Sequence, residues 1–255
     1  MEVIRALTML ILTVSGLSEW NSIALPGALP ALAESDGPKM RHGPTPRQVV
    51  YRLDFADYTG SSIEEWLQSK GFKLEEAAKD RSKLELSIQK GVLIFESKEA
   101  LRGFLFKDAM SVEKFSRVRI EWGIIKYPEG ASYEKQLNNE ALMVYVFFGH
   151  EKLPSGLFAL PDSPYFIGLY LGKDDRINVP YKGKYYHQGG RFVCLGNPKP
   201  HETVISEFDL ATAFRTYFEK DEVPEISGIG FGVDTSASGD GGTAAAYIKW
   251  LEFLE

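Results

Sequence analysis

From Val49 onward the chain alternates apolar and polar positions in short blocks. In Arg117–Ile124 the even positions Val118, Ile120, Trp122 and Ile124 are apolar, while Arg117, Arg119 and Glu121 are charged. A period of two predicts a strand with one wet face. VVYRLDF, starting at Val49, is rich in strand-forming residues. LELSI and VLIFES flank Gln89-Lys90-Gly91 and predict a hairpin, and LRGFLFK (Leu101–Lys107) adds a further strand. Tyr127-Pro128-Glu129-Gly130 breaks the pattern. Ala141–Phe148 (ALMVYVFF) is apolar on both faces, which predicts a central, covered strand. Tyr165–Leu171 and Arg191–Leu195 read as two more. The run Ile226–Glu255 reads as a closing hairpin, with strands Ile229–Val233 and Ala245–Leu254 joined by the polar, glycine-rich loop Asp234–Thr243.

Two stretches change period. Ser61-Ser62-Ile63-Glu64-Glu65 offers capping boxes from Ser61 to Glu64 or from Ser62 to Glu65. They open a helix that reaches about Lys70, with Gly71 beyond it and Trp66 and Leu67 buried. Leu74–Lys79 is expected to add a helical turn. Asp209 caps LATAFRTYFEK, where Leu210, Ala213, Phe214, Tyr217 and Phe218 form one apolar stripe. Many strands, two isolated helices and no β–α alternation predict a mainly β fold: an antiparallel, jelly-roll-like β-sandwich with two short helices. No repeat and no boundary interrupts residues 49–255, so they are expected to form one domain.

The first residues read differently. MEVIR, the apolar run Ala6–Leu17 and Ala31-Leu32-Ala33 supply the basic start, hydrophobic stretch and small-residue site of a signal peptide over residues 1–33. The apolar run is too short for a spanning helix of roughly 20 residues, so no stable membrane span is expected after cleavage. Residues 34–48 hold three prolines and no period and read as a flexible leader. The expected location is periplasmic or secreted, in a bacterium. Cleavage would remove Arg5, Glu2 and Glu19, taking the net charge from −6 to −5. An acidic chain without a basic run excludes nucleic acid as a partner. Cys194, the only cysteine, cannot form an internal disulfide and reads as a buried small hydrophobe.

Much chemistry is missing. There is no G-x-S-x-G elbow, and His150, His187 and His201 stand alone. Gly239-Asp240-Gly241-Gly242 lacks a P-loop lysine and leads into a strand. Counted as an EF-hand from Asp234, the loop has oxygen donors at Ser236 and Ser238 and a glycine at Gly239, but Ala245 where the bidentate glutamate belongs. An irregular calcium site on Asp234 and Asp240 is the one cofactor candidate. The alternative is a turn whose Asp and Ser side chains bond their own backbone. Paired carboxylates for glycoside hydrolysis could come from Glu121, Glu140, Asp174, Asp175 or Asp234. Tyr181, Tyr185 and Tyr186, with Arg191, crowd the segment YKGKYYHQGGR and offer flat rings for stacking on sugars, or else pack inward to seal an edge.

ALMVYVFF after Asn139-Glu140, the capped DLATAFRTYF helix and ISGIGFGVDTSASGDGGTAAAYI together resemble an uncharacterised group of exported bacterial proteins, domain-of-unknown-function family three-zero-four-seven. The resemblance covers roughly residues 84–255. It implies export and a sandwich-like fold and carries no activity. In that family an acidic pair precedes a strand reading Arg-Val-Tyr-Val-x-Phe, and an Asp-x-Asp-x-Thr loop follows. Here Asn139-Glu140 stands for the pair, Met143 for the arginine and Ser236 for the second aspartate. The expected function is non-catalytic ligand binding, with a glycan or another cell-envelope component as partner. The alternatives are a glycan-active hydrolase or lyase using paired carboxylates, and an envelope scaffold working through a protein partner.

Overall fold

The computed structural model describes residues 47–255 apart from Ser61 and Ala159. The expected signal peptide, the expected leader before Arg47 and the capping alternative at Ser61 therefore lie outside the described residues. The strands are β1 (Val49–Asp54), β2 (Lys73–Glu76), β3 (Leu84–Gln89), β4 (Val92–Ser97), β5 (Arg102–Lys107), β6 (Arg117–Lys126) and β7 (Glu140–Leu153). They continue with β8 (Ser163–Tyr170), β9 (Pro180–Tyr181), β10 (Gly190–Cys194), β11 (Thr203–Asp209), β12 (Ile226–Asp234) and β13 (Ala244–Leu254). The helices are α1 (Ile63–Ser69) and α2 (Leu210–Phe218).

These strands form two sheets. A six-stranded sheet has the order β11-β6-β13-β4-β3, with β1 also on β13. A seven-stranded sheet has the order β2-β5-β12-β7-β8-β10-β9. All pairings are antiparallel except β8 with β10. The chain crosses between sheets at β1–β2, β2–β3, β4–β5, β5–β6, β6–β7, β10–β11, β11–β12 and β12–β13, in the manner of a jelly roll. The inner faces meet in one core, where Trp122, Phe95, Phe148, Phe231 and Phe253 are almost fully buried.

Local signals explain several elements. Ser62 is the N-cap of α1 and accepts from the Glu65 amide at 3.3 Å, while Trp66 and Leu67 point inward. Asp209 caps α2 through the Thr212 amide at 2.9 Å, and Phe214 packs on Phe148 and Tyr165. Lys90 and Gly91, both at positive φ, make the two-residue turn between β3 and β4.

Two expectations are corrected. The helical turn at Leu74–Lys79 is instead strand β2 followed by a short 3-10 turn at Ala77–Lys79, because β2 finds a partner in β5. The C-terminal run is not a hairpin. β12 pairs with β5 and β7, whereas β13 pairs with β1, β4 and β6 in the opposite sheet. The loop after Asp234 is long enough to cross the roughly 10 Å between packed sheets, so the two strands are free to take partners in different layers.

Candidate functional site

On the outer face of the seven-stranded sheet lies a groove of about 740 Å³. Its floor follows from alternation on adjacent strands. β12 sends Ile229, Phe231 and Val233 into the core and turns Gly230 and Gly232 outward. In register beside Gly230 stand Phe106 on β5 and Tyr145 on β7. A Cβ on Gly230 would sit 2.6 Å from a carbon of the Phe106 ring, and one on Gly232 would sit 2.8 Å from the Tyr145 ring. The rings of the flanking strands thus lean over a track that only glycine leaves open. Phe104 and Phe106 stack at 5.4 Å, and Tyr145 meets Phe166 edge-on at 5.7 Å. Phe104, Phe106, Tyr145 and Phe147 remain half-buried, an apolar floor with no element of the described residues laid across it.

One end of the groove is polar. Asp234, the last residue of β12, lies directly opposite Glu140 on β7 and Arg102 on β5. The β12–β7 register shifts between Gly232 and Asp234, so the two carboxyls meet at an irregularity of the ladder, near enough for the charge of Asp234 to act on Glu140. Glu140 is 4% exposed and accepts one hydrogen bond, from the Tyr133 hydroxyl at 2.9 Å. Burial drives its pKa well above the ordinary carboxylate value, the nearby Asp234 adds to the rise, and the Tyr133 bond opposes it. Asp234 is also raised by burial, against hydrogen bonds from the Ser236 hydroxyl and amide and the charge of Arg102. Next to this pair, Asn139 is 4% exposed, lines the groove and accepts from the Ala237 amide at 3.3 Å. Its side-chain nitrogen has no hydrogen-bond partner among the described residues. An orphaned buried donor costs about 1–3 kcal/mol, which makes its position beside a cavity informative.

The polar end is held from behind. Tyr133 sits on a 3-10 turn (Tyr133–Lys135) whose start is bound by the buried carboxylate of Asp175. Asp175 accepts from the Ser132 hydroxyl at 3.0 Å, the Tyr133 amide at 3.3 Å and the Tyr170 hydroxyl at 2.9 Å. Tyr133 also packs on Tyr170 with ring centroids 4.5 Å apart. A carboxylate in the preceding layer thereby fixes the hydroxyl that orients Glu140.

The residues singled out from the sequence divide as follows. Tyr185 and Tyr186 line the groove; Tyr186 packs edge-on against Phe166 at 5.6 Å and donates to the Pro161 carbonyl at 3.0 Å. Tyr181 supports the Tyr133 turn, donating to Glu134 at 2.5 Å and accepting from the Arg176 amide at 3.1 Å. Arg191 lies away from the groove, with its guanidinium on the carbonyls of His187, Gly190 and Tyr217 and over the Phe218 ring. Asp240 does not join Asp234. It takes Ser238, Thr243 and Lys126, the last at 2.9 Å, and these partners hold its pKa below the usual range. Ser236 bonds Asp234 and the Gly242 amide bonds Asp240, so the loop has the self-bonded turn geometry. Among the described residues no cluster of three or more His, Cys, Asp or Glu could hold a metal ion. Cys194 is fully buried and its thiol is pushed up by burial.

The phenylalanine and tyrosine floor was hidden in the sequence, because ALMVYVFF is apolar on both faces. The groove also gathers Asn139, Glu140, Asp234 and Ser236, the polar positions on which the family resemblance was drawn.

No protein-family model and no curated protein sequence matches this chain. Solved structures give distant likenesses. A mutant of a carbohydrate-binding module of family 29 aligns at 12% identity with a TM-score of 0.32, over 72% of this chain and 81% of that one. The K2 cleaved adhesin domain of Lys-gingipain aligns at 11% identity and TM-score 0.37, over 80% and 99%. The potassium-bound carbohydrate recognition domain of Emp46p aligns at 11% identity and TM-score 0.39, over 79% and 94%.

Proposed function

We propose that the protein binds carbohydrate in the groove on the outer face of its seven-stranded sheet. The observation that carries this reading is the uncovered aromatic floor, Phe104, Phe106, Tyr145 and Phe147, running to the polar end at Glu140, Asn139 and Asp234. A sugar ring has an apolar face that stacks on flat aromatic side chains and an edge of hydroxyls that needs donors and acceptors. Binding sites generally combine an apolar lining with a few convergent polar groups. The export expected from residues 1–33 would place the groove in the periplasm or outside the cell, where envelope and extracellular glycans are the available ligands.

A glycan array probed with the purified protein tests this. We expect binding to at least one polysaccharide class, a loss of about tenfold in affinity for Tyr145→Ala or Tyr185→Ala, and no change for Ile205→Ala, which is 61% exposed on the other sheet. Full affinity in both tyrosine variants would show that the ligand sits elsewhere.

A further inference from the structure

Building on the carbohydrate reading, we propose that Glu140 and Asp234 form a hydrolytic acid–nucleophile pair, so that the groove cleaves a glycosidic bond in the glycan it binds. Adjacent acids alone would not carry this. Three independent features meet at the pair. It sits at the end of an open aromatic groove of about 740 Å³. The two residues are register-opposite on neighbouring strands, facing the same side. Asn139, 4% exposed and lining the same groove, has an amide nitrogen with no hydrogen-bond partner among the described residues.

The two carboxyls are not equivalent. Glu140 is the more buried, and only the Tyr133 hydroxyl bonds it, on one oxygen, leaving the other without a hydrogen bond among the described residues. A carboxyl in that setting keeps its proton and can donate it. Asp234 accepts from the amide and hydroxyl of Ser236 and stands beside Arg102, contacts that oppose the rise burial imposes on it, whereas Glu140 has only the Tyr133 bond to oppose its own. Neighbouring carboxyls with divergent environments separate into acid and base. The two carboxyls come from neighbouring strands at one end of the groove, close enough for the charge of one to act on the other, which suits direct attack by a retaining nucleophile.

The step balances within the site. The Glu140 proton passes to the glycosidic oxygen as an Asp234 oxygen attacks the anomeric carbon. The carbon–oxygen bond to the leaving sugar breaks, and that sugar departs as an alcohol. A glycosyl ester on Asp234 remains. Water then attacks the same carbon and gives its proton to the Glu140 carboxylate, and Asp234 leaves as the carboxylate.

The test uses each polysaccharide that the purified protein binds on the array, with release of new reducing ends as the readout. We expect release by the wild type and a fall of about a hundredfold or more in Glu140→Gln and in Asp234→Asn, measured at saturating polysaccharide so that a change in affinity does not enter the rate. With Asp234→Gly, added azide should yield a glycosyl azide of inverted anomeric configuration, a product that only a missing nucleophile explains. Binding with no release by the wild type, or equal release by the isosteric variants, overturns the catalytic pair and leaves the binding reading intact. Unsaturated products overturn hydrolysis in favour of elimination. If no glycan is bound or cleaved, the binding reading fails first and the pair with it.

Discussion

On the outer face of the six-stranded sheet, Trp250 lies beneath the guanidiniums of Arg52 and Arg119, at 4.8 and 5.7 Å from the ring centroid. Both arginines also hold Glu252, which is almost completely buried between them. Glu121 bonds Lys249 at 3.0 Å and the Trp250 indole nitrogen at 2.5 Å. On the outer face of the seven-stranded sheet, Tyr145, Phe104 and Phe106 carry no such cover, and the acids at their end face each other. The strand pattern is the same on both sides, with alternate residues turned outward. One face has spent its aromatic and its charges on one another, and the other has left both open. A face closed by mutual pairing is structural, while an open face with unpaired polar groups is where a ligand can be accommodated.

The comparison can be broken by mutations that should act on one face only. The largest effect is expected from Glu252→Ala, which strips two arginines of their shared partner. Stability measured by urea unfolding should fall by about 3 kcal/mol, with glycan affinity unchanged. Gly230→Leu should do the reverse in kind. Its Cβ alone would fall 2.6 Å from the Phe106 ring, so binding should be lost beyond detection on the array while stability falls by about 1–3 kcal/mol. Tyr145→Ala removes a half-exposed ring and should cost about tenfold in affinity, with a smaller change in melting temperature than Gly230→Leu.

Acidity sharpens the contrast further. The folded-state pKa of Glu140 is raised above its unfolded value, so the folded protein binds the extra proton. Stability from this group is fully present below the unfolded carboxylate pKa and is lost as pH rises through the folded one. Asp234 is raised as well and acts with the same sign. The melting temperature of the wild type should therefore drop more between mildly acidic and mildly alkaline pH than that of Glu140→Gln, and the two should converge in acid. The smallest effect is expected at Asp240→Ala, below about 1 kcal/mol, because its Lys126 partner is half exposed. A calcium-dependent rise in melting temperature that Asp234→Asn abolishes would instead make that loop a metal site.

Where one face of an element is wet and the other dry, the sequence was readable. The alternation of Arg117–Ile124, the caps Ser62 and Asp209, and the Lys90-Gly91 turn all appear as the residues predict. The groove escaped because its floor is apolar: Tyr145 and Phe147 look like core residues until it is known that no element of the described residues lies across them. Glu140 and Asp234 stood among the candidate acids, but only the β7–β12 register makes them neighbours, and register between distant segments leaves no local trace. The apparent C-terminal hairpin failed for the same reason, since β12 and β13 satisfy their hydrogen bonds with strands from elsewhere in the chain. Tyr185 and Tyr186 were visible as loop aromatics, whereas Arg191, in the same segment, is consumed by backbone carbonyls.

Among the described residues β1 pairs with β13 alone, with Val49 beside Leu254 and the Glu255 amide donating to the Gln48 carbonyl at 2.9 Å. The first strand of the sandwich therefore waits for the last. During synthesis the β1 edge emerges long before its partner, and loop closure of that length must be completed before the pairing is rewarded. Refolding should accordingly be slow, and a circular permutant that begins at Phe158 and links Glu255 to Gln48 should fold faster by making β13 and β1 adjacent in sequence.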